Sequence, residues 1–327
     1  MVEREQHISE FLRQIGWSDA DVQTLAGDLS VRNFSRLTRL DGSQAILMDA
    51  DPDIDRSTPA YVAMTEWLSA CGLSVPKVYG SQEDLGLLLL EDFGDAKLTG
   101  LIQKSRERQR DYYHLAIEVL VVIRAAAPAA LMQPSATQMV EATTLAEEWY
   151  PGANPAAHAQ FRGVLETALE NLFEAQAVVS LRDFHTDNVM WLEDRQGVRK
   201  LGLLDYQDAF LTHPVYDLMS LLTDARVMVP HALRAEMIEY YSKLTRDAEQ
   251  DVTTAVAVLG AQRNLRILGI FARAARRYGK VQHLDSLARV HAYLSECLRH
   301  PVFSATGLKL SDMLPDPNPE LVSGLRQ

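Results

Sequence analysis

The chain has 327 residues, 47% hydrophobic and 23% charged, a balance that excludes disordered and fibrous classes and allows a sizeable core. Its 32 Lys and Arg against 44 Asp and Glu leave a net charge of −12, which argues against a general binder of nucleic acid or of an anionic membrane surface. Two cysteines, Cys71 and Cys297, exclude a disulfide framework and a cysteine-rich zinc site.

From the N-terminus, Phe11, Ile15 and Trp17 give a helical apolar face, and Ser18 with Asp21 reads as the capping pair of a second short helix through Leu25. No basic region leads into an apolar run, so no signal peptide is expected, and the location expected is cytoplasmic. Leu29 to Leu40 alternates, Asp41-Gly42 is a hairpin turn, and Ala45 to Met48 is a buried strand. Thr58-Pro59 opens a helix that runs to about Cys71. Val75 to Tyr79 and Leu85 to Leu90 read as strands, the first confined by Pro76 to a strand start or an edge. Beyond Glu91 to Asp95 the chain turns helical: Arg106 to Ala127, Met139 to Tyr150 and Ala156 to Ala177. The apolar stretch from Leu115 to Ile123 contains Glu118 and is too short to span a bilayer. A β-rich interlude follows, with Val178 to Leu181, Val189 to Leu192 and Leu201 to Leu204. Helices resume at Val215 and run to about His300, and the Pro-rich tail from Pro315 reads as irregular.

The interlude carries the chemistry. Asp183 and Asn188 lie in one loop between strands, and Asp205 ends the strand after it. One Asp to accept a proton from an attacking hydroxyl, with an Asn and a second Asp as oxygen ligands for Mg²⁺, is the layout of a phosphoryl-transfer site. The alternative of a metal cluster at Asp183, His185 and Asp187 lacks a second histidine cluster to complete it.

The string Asp183-Phe184-His185-Thr186-Asp187-Asn188 resembles the catalytic loop of the aminoglycoside phosphotransferase and choline kinase-like superfamily, which shares the protein-kinase fold. That superfamily carries an H-G-D-x-H-x-x-N pattern, and here Leu181-Arg182 stands in place of H-G. With Leu204 to Ala209 and Asp224-Ala225-Arg226, the resemblance is nearest to the bacterial N-acetylmuramate/N-acetylglucosamine anomeric kinases of cell-wall recycling. The resemblance implies Asp183 as catalytic base and Asn188 and Asp205 as Mg²⁺ ligands. It implies His185 as an orienting residue and Asp217 as a structural partner of the loop. It also makes Leu88 to Phe93, with Glu91 and Asp92, a hinge that contacts adenine. Asp92-Phe93-Gly94 precedes the catalytic loop and so is not a kinase metal-binding tripeptide.

Two departures stand out. Ser30, Arg32, Asn33 and Ser35 occupy the nucleotide-facing turn with no glycine-rich loop, and the strand that ends in lysine in kinases ends here in Met48. Either Arg32 or Arg36 replaces that lysine at phosphate, or both are ordinary strand arginines, and Glu66 is then plain surface. Arg263, Arg266, Arg273, Arg276 and Arg277 read as a solvated face, with a part in an anionic sugar site as the alternative. Trp149-Tyr150 reads as core ahead of a sugar-stacking pair. Gln207, Asp208, Asp224 and Arg226 are candidates for acceptor contacts or loop support.

The expectation is a two-lobed α+β protein-kinase-like fold, with residues 1–91 as a sheet lobe, 92–95 as hinge and 96–327 as a helical lobe. The expected activity is an ATP- and Mg²⁺-dependent kinase of an N-acetylated amino sugar. The alternatives are an aminoglycoside or amino-alcohol kinase, and a nucleotide-binding pseudokinase. The partner expected is a small-molecule acceptor, with no nucleic acid and no membrane, for a monomer or weak dimer.

Overall fold

The computed structural model describes residues 2–25 and 31–326; Ser30 lies outside them. In chain order the first elements are α1 (Val2–Gln14), β1 (Asp21–Thr24), β2 (Asn33–Thr38), β3 (Gln44–Asp49), α2 (Thr58–Ala70), β4 (Val78–Gln82) and β5 (Leu87–Glu91). The five strands form one antiparallel sheet in the order β1-β2-β3-β5-β4. The second short helix expected after Ser18 is instead strand β1, with Val22 opposite Leu37 and Thr24 opposite Ser35. Asp21 pairs across a sheet rather than capping a helix, because pairing with β2 satisfies a run of polar backbone that local propensity left open. Asn33 and Ser35 likewise belong to β2, not to the turn before it.

The expected hairpin forms at Asp41-Gly42. Gly42 takes φ +84°, and the Asp41 carboxylate accepts the Ser43 N–H at 2.9 Å. The helix that Thr58-Pro59 opens ends before Gly72, at φ +78°. Strand β4 is an edge strand that begins two residues after Pro76, as that proline requires. Helix α1 lays Phe11 and Leu12 on the sheet, where they pack with Trp17, Leu37, Ala45, Leu47, Leu87 and Leu89. Gly86 is needed where it stands: at φ +65°, a Cβ there would fall 1.7 Å from the Ala50 carbonyl oxygen.

The chain continues through α3 (Leu98–Lys104), α4 (Gln109–Ala125), α5 (Ala136–Glu141), α6 (Thr144–Trp149), α7 (Pro155–Leu172), β6 (Val178–Ser180), β7 (Val189–Trp191), β8 (Leu201–Leu203), β9 (Phe210–Thr212), α8 (Tyr216–Leu222), α9 (His231–Thr245), α10 (Glu249–Tyr278), α11 (Leu287–Leu298), α12 (Leu310–Met313) and α13 (Pro319–Leu325). The single helix expected over 139–150 is broken in two. The tail is not wholly irregular, since Asn318 caps α13 by accepting the Leu321 N–H at 2.8 Å. Strand β9, which has no alternating pattern in the sequence, pairs with β6, while β7 pairs with β8.

Two compact units result. One comprises Met1–Lys97 with Asn188–Asp208, the other Leu98–Asp187 with Ala209–Gln327. The sequence boundary at 92–95 assigned 188–208 to the helical part, whereas the β7–β8 hairpin belongs with the sheet unit. Leu203 donates its N–H to Ser74 O (2.8 Å) and Trp191 donates to Ala96 O (2.7 Å). The second unit is organised around α10, which packs against α6, α8 and α11. By length and composition α10 could cross a membrane, but 83% of its apolar stretch is buried inside the protein. It is a core helix, close-packed enough that a Cβ on Gly269 would lie 2.3 Å from the Leu145 carbonyl carbon. Tyr150 is buried here, its hydroxyl donating to Pro315 O at 3.1 Å, so it serves the core. Cys71 and Cys297 are free.

Candidate active-site residues

The sheet unit presents Asn188 and Asp205 together. Antiparallel pairing of Val189 with Leu203, extended by Leu204 N–H to Asn188 O at 2.9 Å, sets the residue before β7 beside the segment after β8. The Asn188 amide thus lies 3.4 Å from an Asp205 carboxylate oxygen. Asp205 takes φ +58°, a conformation that Asp tolerates better than most residues, and its side chain is 43% exposed. Tyr206, fully buried, anchors this segment to α2: its ring stacks on Tyr61 at 4.9 Å and its hydroxyl meets Thr65 Oγ at 2.7 Å. Gln207 donates to Asp205 at 3.0 Å and to Asp208 at 3.3 Å. A carboxylate beside an amide carbonyl is a hard oxygen donor set. Two such residues would suit a hard cation such as Mg²⁺, which prefers oxygen ligands. Among the described residues no group of three or more His, Cys, Asp or Glu could hold a metal, so the cluster considered at Asp183, His185 and Asp187 is not formed.

Two arginines of the same unit part ways. Arg32, with its side chain 8% exposed, donates to Asp205 at 2.9 Å and lies 3.4 Å from Asp55. Arg36 instead clamps the hinge, donating to Asp92 and to Asp95. Asp92 also accepts the Gly94 N–H at 2.8 Å, which closes the turn that Gly94 makes at φ +76°. Glu91 is held by Arg195 at 2.7 Å, and Arg195 lies over the Phe93 ring. Met48 is fully buried between Phe34 and Leu88, and Glu66 on α2 is exposed. Asn33 is exposed at the start of β2.

In the helical unit Asp183 follows β6 through a strained turn. Asp183 N–H reaches back to Leu181 O at 2.8 Å, and Arg182 between them sits at φ +69°. Asp217 on α8 holds this turn by accepting the Leu181 N–H (2.7 Å), the Arg182 N–H (3.1 Å) and the Ser180 hydroxyl (2.8 Å). Burial pushes the Asp217 carboxyl up to about 6, against the pull of those donors. Farther along, Asp224 accepts the Thr186 N–H at 3.0 Å and the Arg226 N–H at 2.8 Å. His185 is buried, and burial with the Arg226 charge lowers its pKa to about 4, leaving it neutral near pH 7.

Asp183 itself receives Arg263 Nη2 at 3.0 Å. Burial raises its pKa, but the charges of Arg263, Arg266 and Arg182, with that of His185 once it is protonated, outweigh burial and hold it below the usual carboxylate range. Arg263 is thus not on a solvated face: its side chain is 6% exposed, Arg266 is half-buried, and only Arg276 and Arg277 are exposed as the sequence pattern implied. The sequence pattern favoured a solvated face for Arg263 because its partner, Asp183, lies 80 residues away in the chain. Asp55, Arg195, Tyr61 and Thr65 carry no signal in the sequence, because each meets its partner across a long separation in the chain.

The phosphotransferase enzyme family (APH) matches residues 21–259. The N-acetylmuramate/N-acetylglucosamine kinase of Caulobacter vibrioides is 33% identical, covering 92% of this chain and 94% of that protein. The N-acetylmuramate/N-acetylglucosamine kinase of Neisseria meningitidis serogroup B is 30% identical over 86% of each. The choline kinase LicA of Streptococcus pneumoniae superposes with a TM-score of 0.64 at 15% identity, over 90% of this chain and 99% of that one; LicA also has a solved complex with AMP. Its likeness carries the protein-kinase-like α+β fold. The chain belongs to the phosphotransferase enzyme family, and it is a phosphotransferase enzyme.

Proposed function

We propose that the protein transfers the γ-phosphoryl group of ATP to the anomeric hydroxyl of an N-acetylated amino sugar, N-acetylmuramate or N-acetylglucosamine, in cell-wall recycling in the cytoplasm. The observation that carries this reading is the near full-length similarity to the Caulobacter vibrioides kinase of those two sugars. Asp183, of the helical unit, accepts the hydroxyl proton as the sugar oxygen bonds to the γ-phosphorus and the bond to ADP breaks. The loop held by Asp217 and Asp224 fixes the aim of Asp183. Asn188 and Asp205, of the sheet unit, would hold Mg²⁺, which supplies charge neutralisation at the phosphates when bound. Arg32, already at Asp205, is the phosphate-facing cation of that unit in place of Met48, whereas Arg36 holds Asp92 and Asp95. The arginines at Asp183 count against a polycationic aminoglycoside, since they would repel it.

An ATP-consumption screen over N-acetylmuramate, N-acetylglucosamine, kanamycin and choline tests the reading. Turnover with the two amino sugars, lost in Asp183→Asn, is the expected result. Turnover with choline or kanamycin alone would replace it, and no turnover with any acceptor despite nucleotide binding would make the protein a pseudokinase.

A further inference from the structure

Within the sheet unit the Arg32 guanidinium bridges two carboxylates. Its Nη2 donates to Asp205 Oδ1 at 2.9 Å, and its Nε lies 3.4 Å from Asp55 Oδ2. The side chains of Arg32 and Asp55 are 8% and 16% exposed, so water screens this pair far less than it screens a surface ion pair. Asp205 has a task in the proposed reaction, whereas Asp55 has none so far.

Asp55 is built into the start of α2. Its N–H donates to Asp51 O at 2.7 Å, and its Oδ1 accepts the Ser57 N–H at 2.8 Å. Ser57, the residue before α2, makes no side-chain cap of its own. The other oxygen of Asp55 faces Arg32. Farther along α2, Tyr61 stacks on Tyr206 and Thr65 meets the Tyr206 hydroxyl at 2.7 Å, and Tyr206 directly follows Asp205. The contacts close a ring, from α2 through Asp55 and Arg32 to Asp205, and back through Tyr206 to α2. One helix thus holds both the guanidinium and the carboxylate that it meets. Met48, fully buried, and Glu66, exposed, take no part in this ring.

We infer that Asp55 is a positioning residue for the nucleotide: it aims Arg32, and so strengthens the hold on the phosphates without touching them. A long arginine side chain loses rotamer freedom when it grips an anion, and a partner that fixes it beforehand removes that cost. Taken as a bare charge, Asp55 does the opposite, since a carboxylate near phosphate repels it. The sign of its effect on phosphate binding therefore separates the two roles. The inference rests on the proposed ATP-dependent activity and adds to it the residue that sets the aim of Arg32.

The test is calorimetric binding of ADP with Mg²⁺, and of adenosine, to the full chain and its variants. The wild type should bind ADP about tenfold or more tighter than adenosine. Asp55→Asn keeps an oxygen that can accept the Ser57 N–H and removes the charge that faces Arg32. It should weaken ADP by about threefold to tenfold and leave adenosine within about twofold. Asp55→Glu, which restores the charge, should bind ADP more tightly than Asp55→Asn does. In an Arg32→Ala background, where there is no guanidinium to aim, Asp55→Asn should cost less than about twofold. Asp55→Ser also offers an oxygen to the Ser57 N–H without a charge, and gives the same reading should Asp55→Asn not fold. ADP binding that is unchanged or tighter in Asp55→Asn, an equal loss for adenosine, or the full loss again in the Arg32→Ala background would overturn the inference. ADP binding that depends on Asp55, without phosphate transfer to either amino sugar, would leave the inference and remove the proposed function. Transfer to the amino sugars with ADP binding indifferent to Asp55 would do the reverse.

Discussion

At the scale of single residues, the decisive pair is Asp183 and Arg263. The guanidinium keeps the carboxyl ionised, and an ionised carboxylate is what accepts a proton. Replacing Asp183 with Asn keeps the shape and removes the proposed base, so kcat should fall by about 10² to 10⁴-fold with the melting temperature little changed. Replacing Arg263 with Gln removes the largest attraction that lowers the Asp183 pKa. The pKa then rises, and the acid limb of the kcat/KM profile should move to higher pH; an unmoved limb would mean that another group titrates there. Arg32 and Arg36 should also separate. Arg32→Ala should raise the KM for ATP by about tenfold, as expected for loss of one charge-assisted contact, while Arg36→Ala should act through stability by freeing Asp92 and Asp95. Equal KM effects would contradict that division. The order and spacing that single out Asp183, Asn188 and Asp205 as candidates are local and so stand in the sequence. The pairing of Arg263 with Asp183 does not, because a helical arginine reads the same whether its partner is water or a carboxylate on another element.

At the scale of elements, the Asp183 turn and the α10 core helix set the geometry of the helical unit. Asp217 ties β6 and the Asp183 turn to α8, and its carboxyl is pushed up to about 6 by burial. A carboxyl whose folded pKa lies above its unfolded value, near 3.9, binds its proton more tightly in the folded state. Its favourable contribution is present below about pH 4 and is lost as pH rises through 6. The stability of the wild type relative to Asp217→Asn should therefore decline by about 2 kcal/mol from pH 4 to pH 6 in denaturant titrations, since each pKa unit is worth about 1.4 kcal/mol; a flat difference would contradict the assignment. Gly269 is kept in the middle of a helix, where Ala would otherwise be preferred by about 1 kcal/mol, because α6 passes too close for a Cβ. Gly269→Ala should then destabilise by about 1–3 kcal/mol as overpacking does, measured by urea unfolding. Strands such as β3 and β5 were legible from their apolar runs. Strands β1 and β9 were not, since short polar strands are fixed by the partner they pair with.

At the scale of the whole molecule, the chain arithmetic anticipated two units, and the structure shows that they are not two consecutive stretches. The hairpin carrying Asn188 and Asp205 belongs with the sheet unit, while the loop carrying Asp183 belongs with the helical unit, although the two are adjacent in sequence. No composition shift marks this crossing; it follows from the hydrogen bonds that Ser74 and Ala96 make to the hairpin. The net charge of −12 likewise conceals the buried arginine, Arg263, that lies 3.0 Å from Asp183. The direct measurement is ³¹P and ¹H NMR of the product formed from N-acetylmuramate and ATP with Mg²⁺. The account predicts phosphate on the anomeric oxygen with the wild type and none with Asp183→Asn. Phosphate on another hydroxyl, or product that persists in Asp183→Asn, would contradict it.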